Sequence, residues 1–161
     1  MKELYRIALD HDREIAAEIG LLLSCYAIID LFILHIFSLV CDLDKDTADI
    51  ILGRLKGNGQ RIELILDLLR NSERMEKDFE IELMKQVIVA TKRRNEYAHS
   101  IYSQVSDGPT NWRMSMWLSD GGKRKKEFKN ISISIVREDC AFIRSVLESL
   151  FHFGQIQVIY E

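Results

Sequence analysis

The sequence is poor in proline, glycine and cysteine. It has one proline and eight glycines in 161 residues, so few positions break a helix, and such a composition favours a mostly helical protein. The three cysteines are odd in number and form no CxxC pair. Such a set is typical of reduced thiols in a cytoplasm rather than of a disulfide framework. We therefore expect a cytoplasmic, helical protein.

The chain also lacks a strong net charge and the common catalytic signatures. A net charge of −3 and a pI near 5.8 exclude a protein that binds nucleic acid with its whole surface, so any such contact has to be local. GxSxG, HExxH and Walker patterns are absent, and the histidines have no metal-ligand spacing with one another or with the cysteines. We expect no metal ion and no cofactor.

One apolar stretch, residues 19–41, is long enough to cross a bilayer, which takes roughly 20 such residues. However, Asp30 lies at its middle and His35 close by, and a charged group is costly in lipid unless it is paired. The charged N-terminus before it does not resemble a signal peptide. We therefore predict a core helix of a soluble protein, with no membrane association and with Asp30 pointing inward. Arg94 or His99 is the partner expected for Asp30, and a structural arginine elsewhere is the alternative.

Helical spacing of apolar residues predicts five helices, at residues 13–41, 47–55, 60–70, 72–103 and 134–151. Ser72 and Ser134 are the expected caps of the last two helices, and Gly154 is the expected end. Strand-like alternation at 112–118, a turn at Asp120-Gly121-Gly122 and a returning segment at 123–133 predict a β-hairpin before the last helix. We expect one domain over 1–161, all-α apart from a hairpin insertion at 111–133, with an N-terminal arm at 1–12.

The fourth predicted helix carries the segment Lys92-Arg93-Arg94-Asn95-Glu96-Tyr97-Ala98-His99. Helical spacing places Asn95, His99 and Tyr102 on one face. Arg94 lies about 140° around the axis from His99. The two side chains can meet at one phosphate only if the arginine curls round the helix or if a second copy of the helix supplies one of them.

A histidine and an arginine without metal ligands are suited to metal-free cleavage of RNA. The 2′-hydroxyl needs a base, the leaving 5′-oxygen needs an acid, and the phosphate needs a fixed positive charge. His99 can fill either proton role, Arg94 can hold two phosphate oxygens, and Asn95 can orient the imidazole or donate to the phosphate. Because one chain offers one well-placed histidine for two proton transfers, a two-fold dimer would complete the site.

The segment from Arg94 to His99 resembles the Rx4–6H motif, often beginning Arg-Asn, of the HEPN superfamily. The likeness is specific over residues 92–102 and extends in helix layout over roughly 13–151. It implies an up-and-down helical bundle and a homodimer through the motif helix. It also implies a metal-independent endoribonuclease in a toxin–antitoxin, antiphage or stress-response setting, with an antitoxin or defence protein as partner. Arg94 and His99 would be its catalytic pair, with Asn95 as polar helper.

Further residues are candidates for RNA binding because they flank the motif or form a basic run in the hairpin: Lys92, Arg93, Tyr102, Lys123, Arg124, Lys125 and Lys126. The basic run is equally typical of an edge strand kept soluble by lysines. For the protein as a whole, the competing hypothesis is a non-catalytic HEPN-like helical module that binds RNA or a protein partner.

Overall fold

The computed structural model describes residues 12–104, 112–120 and 123–159. Within these ranges the protein is mostly helical, with α1 (Arg13–Cys41), α2 (Lys45–Gly53), α3 (Asn58–Arg70), α4 (Lys77–Ala98) and α5 (Ile133–Ile159). Strands β1 (Ile101–Gln104), β2 (Trp112–Asp120) and β3 (Lys123–Ile131) form an antiparallel sheet in that order. The predicted helical bundle with a small β element before the last helix is confirmed. The proposed N-terminal arm lies outside the described residues apart from Asp12.

The first two helices begin where aspartates cap them. The Asp12 carboxylate accepts from the backbone N–H of Ile15 at 3.2 Å. The Asp44 carboxylate accepts from the backbone N–H of Thr47 at 2.9 Å and from its hydroxyl at 2.7 Å. Asp44 has extended backbone angles, so α2 begins at Lys45, two residues before the predicted start. These hydrogen bonds lower the pKa of the Asp44 carboxyl.

Both predicted ends of the fourth helix are wrong. At its start, the Ser72 hydroxyl donates to the Leu69 carbonyl at 2.8 Å and so completes α3, while α4 begins at Lys77. At its end, α4 stops at Ala98, and the Tyr102 hydroxyl donates to the Tyr97 carbonyl at 2.6 Å. A side chain from the following strand thus satisfies a carbonyl that the helix leaves unpaired.

Helix α5 also departs from its predicted limits. The Ser132 carbonyl accepts the N–H of Val136 at 3.1 Å, so Ser132 rather than Ser134 lies at the N-terminal cap. Gly154 does not end the helix, which continues to Ile159. A glycine inside a helix lowers helix stability by only about 1 kcal/mol relative to alanine. Burial of the long apolar stripe of α5 offsets this loss.

The described residues form two compact units. The first combines residues 12–23 with Arg93–Ala141, and the second combines Ser24–Lys92 with residues 142–159. In the first unit, the Trp112 indole N–H donates to Asp12 at 3.0 Å, which fixes the start of β2 to the start of α1. Its apolar core is built from one stripe of α1, one face of the sheet and the first turns of α5: Ile15, Ile19, Leu22, Trp112, Met114, Ile131, Val136 and Cys140.

The core of the second unit consists of apolar stripes from all five helices. Phe32 and Phe151 meet edge to face with ring centroids 5.0 Å apart, in the geometry that aromatic pairs prefer. Glu80, buried to 2% exposure, is paired with Arg74 at 2.9 Å. The fully buried apolar side chains include Ile29, Ile62, Ile65, Leu69, Val87, Ile143, Val146 and Leu150.

Asp30 lies in a polar cluster of the second unit. The Asn58 side-chain amide donates to Asp30 and, at 3.2 Å, to the Tyr26 hydroxyl. The hydroxyls of Tyr26 and Thr91 share a hydrogen bond of 2.7 Å, and burial raises the pKa of Tyr26. Asn58 follows Gly57, whose φ of +88° allows the turn into α3. Asp30 thus has a polar partner, Asn58, that was not expected from the sequence. The pairing of Asp30 with Arg94 or His99 stays a prediction.

Among the described residues, α1 is the one helix long and apolar enough to cross a membrane. The core helix of a soluble protein passes the same test of length and composition. Helix α1 contributes the buried residues Tyr26, Ile29 and Ile33 to the second unit, and Asp30 accepts its hydrogen bond from within that unit. These features are consistent with a soluble protein.

Candidate active site at the end of helix α4

The three candidate catalytic residues lie together in the last turns of α4, within the first unit. An Arg94 guanidinium N–H donates to the Asn95 side-chain oxygen at 3.0 Å. The backbone N–H of His99, the first residue past the helix, donates to the Asn95 carbonyl at 3.1 Å. His99 therefore keeps the helical phase of the residues before it. Asn95 and His99 are exposed, and Arg94 is half-buried.

Arg94 and His99 project from different sides of the helix. Arg94 lies three residues before Tyr97, hence about 60° from it around the axis, and Tyr97 is buried. His99 is exposed, and its helical phase keeps the expected separation of about 140° from Arg94. In one chain, Arg94 therefore lies toward the buried side of α4, and the His99 imidazole lies on the solvent-exposed side.

Asp139, on α5, contacts two residues of the same helical segment. One of its carboxylate oxygens accepts from the Tyr97 hydroxyl at 2.7 Å, and the other forms an ion pair with Arg93 at 2.8 Å. Asp139 is only 9% exposed, so these contacts compensate a carboxylate that is largely removed from water. Arg93, a predicted RNA-binding residue, is therefore part of a structural cluster.

Tyr102 does not lie on the helical face of Asn95 and His99, because α4 ends at Ala98 and Tyr102 belongs to β1. Its half-buried hydroxyl donates to the Tyr97 carbonyl, and burial raises the pKa of Tyr102. The prediction that Asn95, His99 and Tyr102 share one face of a helix is therefore wrong. The role of Tyr102 in RNA binding stays a prediction.

The other predicted RNA-binding residues are spread over two elements. Lys92 is exposed on α4. The run from Lys123 to Lys126 occupies consecutive positions of β3, in register with residues 117–120 of β2. Nearby on the same strand, the Lys129 ammonium pairs with Glu96 at 3.0 Å and so ties β3 to the motif segment.

Comparison with known protein families, with curated proteins and with solved structures finds no match for this chain. Among the residues that the structure describes, no group of three His, Cys, Asp or Glu side chains is placed to hold a metal ion. The likeness to the HEPN superfamily rests on the motif residues and the helix layout, and it stays a prediction.

The buried Tyr97 phenol gives a testable pH dependence. Burial raises the pKa of Tyr97 above its usual value of 10.0, and the hydrogen bond to Asp139 raises it further. Above about pH 10 the unfolded chain loses this proton while the folded chain keeps it, so the free energy of unfolding falls by up to about 1.4 kcal/mol per pH unit. Tyr97→Phe removes this contribution and also the hydrogen bond to Asp139. We expect the variant to be less stable than wild type at pH 8, with a difference that narrows above pH 10.

Urea unfolding of both proteins over this pH range measures the difference. A gap between them that stays constant above pH 10 would contradict a proton held by Tyr97 in the folded state.

Proposed function

We propose that the protein is a metal-independent endoribonuclease that cleaves RNA by transphosphorylation. The observation that carries the proposal is the exposed His99 at the end of α4, joined through Asn95 to Arg94 by the two hydrogen bonds described above. An accessible imidazole and a guanidinium in the same helical segment supply the two kinds of group that this reaction needs, one to move protons and one to stabilise phosphate charge.

In the proposed reaction the 2′-hydroxyl attacks the adjacent phosphorus, and the bond from phosphorus to the 5′-oxygen breaks. An imidazole accepts the proton of the 2′-hydroxyl, and a second group delivers a proton to the leaving 5′-oxygen. Arg94 binds the non-bridging phosphate oxygens, whose charge is concentrated in the transition state. The products are a 2′,3′-cyclic phosphate and a free 5′-hydroxyl.

A homodimer through α4 is part of the proposal for two reasons. Arg94 and His99 diverge by about 140° on one helix, so one chain does not place them side by side. The reaction also uses two proton-transfer groups, and each chain contributes one exposed histidine of this motif. Two motif helices related by a two-fold axis would bring two imidazoles and two guanidiniums to one cleft.

The basic run in β3 is proposed to contact backbone phosphates. Changing Lys123, Arg124, Lys125 and Lys126 together to serine is expected to weaken RNA binding and to reduce the slope of log affinity against log salt by roughly 0.7 for each lost phosphate contact on a single strand. Affinity measured by fluorescence anisotropy over a range of salt concentrations gives the slope. An unchanged slope would show that these cations serve only the solubility of an edge strand.

The resemblance of the motif segment also motivates the proposed setting. We place the activity in the cytoplasm, in a toxin–antitoxin, antiphage or stress-response system, with an antitoxin or another defence protein as the partner that restrains or triggers it. A nuclease that cleaved the cell's own RNA would need such a restraining partner.

A second candidate function is a non-catalytic helical module that binds RNA or a protein partner. It is favoured by one observation, the cluster in which Asp139 holds both Arg93 and Tyr97. That cluster gives Arg93 and Tyr97 a role in stabilising the fold, and this role does not require catalysis.

Incubation of the purified protein with total RNA in the presence of EDTA separates the two candidates. The nuclease is expected to fragment the RNA under these conditions. RNA that stays intact while it is retained by the protein would favour the binding module instead.

A further inference from the structure

The sheet of the first unit has one face in the apolar core and one outer face. The outer face is largely exposed, although its Ser115, whose hydroxyl donates to the Ile101 carbonyl, is buried at 6% exposure. Successive residues of a strand alternate between the faces, and on β2 Trp112 and Met114 are buried while Arg113 is exposed. The register aligns Ser103 and Asn130 with Arg113, and Ile101 and Phe128 with Ser115. The outer face is defined here by these six residues: Ile101, Ser103, Arg113, Ser115, Phe128 and Asn130.

The outer face exposes apolar and aromatic surface that a folded protein ordinarily buries. Phe128 is 60% exposed and Ile101 is 51% exposed. The two lie on the same register row, on either side of Ser115. The Arg113 guanidinium carbon lies 5.7 Å from the centroid of the Phe128 ring, which is the geometry of a cation–π pair. This face therefore presents an aromatic ring with a guanidinium beside it.

The chemistry of the outer face favours nucleic acid as its occupant. Its charged member, Arg113, is a cation, its remaining polar members are Ser103, Ser115 and Asn130, and none of the six residues is acidic. An exposed aromatic ring stacks on an unpaired base, while a guanidinium can stack as well or bind a phosphate. A duplex hides the faces of its bases, so this surface is suited to a single strand.

The chain also connects this face to the candidate active site. Strand β1 begins at Ile101, two residues after His99, and both residues belong to the first unit. Lys129 pairs with Glu96 in the motif segment, but it is in register with Met114 and so belongs to the opposite face of the sheet. The link between the outer face and the motif is therefore Ile101, and a single strand that extends along the Phe128 row as far as Ile101 would come close to His99.

We propose that the outer face of the sheet is a stacking site for unpaired bases of single-stranded RNA, with the Phe128 ring as platform and Arg113 as its cationic partner. This site rests on the proposed ribonuclease function for its purpose, because it would hold the substrate strand near His99. As a binding site it can be measured without any cleavage.

The test uses a fluorescein-labelled single-stranded 2′-O-methyl oligoadenylate, which lacks the nucleophile for transphosphorylation and so cannot be cleaved. Phe128→Ala is expected to weaken its binding by about 5- to 150-fold, the range that loss of one base–aromatic stack gives. Phe128→Tyr keeps the ring and is expected to bind like wild type. Phe128→Leu keeps apolar bulk without a ring and is expected to bind as weakly as Phe128→Ala.

The matched control is Phe79→Ala, which removes another exposed phenylalanine (50% exposed) from α4 in the second unit and is expected to leave oligonucleotide affinity unchanged. Circular dichroism and thermal unfolding of every variant report whether the fold is intact. A duplex of the same length should bind wild type more weakly than the single strand and should be insensitive to Phe128→Ala.

Three results would overturn the inference. One is equal affinity of wild type, Phe128→Ala and Phe128→Leu for the single strand. Another is no preference of wild type for the single strand over the duplex. The third is that Phe128→Leu restores both RNA binding and a dimer that Phe128→Ala has lost, as judged by light scattering, because then the face would contact another protein chain.

Different results would contradict the stacking site and the nuclease activity. Cleavage of total RNA by wild type together with Phe128-independent binding would remove the stacking site and leave the nuclease. Phe128-dependent binding without cleavage would leave the stacking site and remove the nuclease.

Discussion

Replacing His99 with alanine is expected to slow RNA cleavage by about a hundredfold or more, since positioned proton transfer contributes about that much. Arg94→Ala is expected to cost a similar factor, because it removes a fixed charge from the phosphate in the transition state. Asn95→Ala should cost less, because orientation of the imidazole is only part of what the reaction needs. Initial rates on a labelled oligonucleotide in EDTA measure all three.

The structure offers matched controls for both changes. His152 and Arg144 are exposed on α5, outside the motif segment, and alanine at either position should leave the rate within a few-fold of wild type. His99 is itself exposed, so its replacement should leave thermal stability unchanged. Full activity of His99→Ala or Arg94→Ala would show that the motif is not the catalyst. Cleavage that EDTA abolishes and a divalent metal restores would show the same.

Mixing the two inactive variants is expected to return a substantial part of the lost activity. A heterodimer of one Arg94→Ala chain and one His99→Ala chain still contains one arginine and one histidine. If the shared cleft draws one group from each chain, one productive pair survives in such a heterodimer. The regained rate is large relative to either variant alone, since each single variant has lost about two orders of magnitude or more.

The control for the mixture is a chain that carries both replacements, mixed with either single variant. Such a heterodimer has no complete pair, so its activity should stay at the level of the single variants. Two results would contradict a composite site. One is a monomer mass by light scattering at micromolar concentration with wild-type activity intact. The other is a mixture of the single variants no more active than its components, although subunit exchange is shown by mass spectrometry.

Much of the helical layout could be predicted from the sequence because it is local. Helical spacing predicted α1 at residues 13–41, and the structure places that helix at Arg13–Cys41. The end of α4 could not be predicted in this way. Ile101 and Tyr102 continue a helical pattern in the sequence, yet they form β1 because they pair with Ser115 and Met114 of a strand more than ten residues away.

The same difference between local and long-range contacts decides which residues of the candidate site could be predicted. Arg94, Asn95 and His99 are close in the sequence, so helix geometry places them in the last turns of one helix, and the angle between Arg94 and His99 could be predicted. Asp139 could not be identified, because its contacts to Arg93 and Tyr97 span more than forty residues. An acid near the start of a helix is a common surface feature, so its position gave no signal. Phe128 was missed because its exposure depends on strand register.

The most direct test of a histidine- and arginine-driven transphosphorylation is the chemistry of the product ends. A labelled oligonucleotide is cleaved by wild type in EDTA, and the fragments are analysed by mass spectrometry, beside a substrate with one 2′-deoxynucleotide at the cleaved position. We predict 2′,3′-cyclic phosphate and 5′-hydroxyl ends, no cleavage at the 2′-deoxy position, and loss of these products in His99→Ala. Fragments with 5′-phosphate ends, or cleavage that continues at the 2′-deoxy position, would contradict the mechanism because neither involves the 2′-hydroxyl as nucleophile.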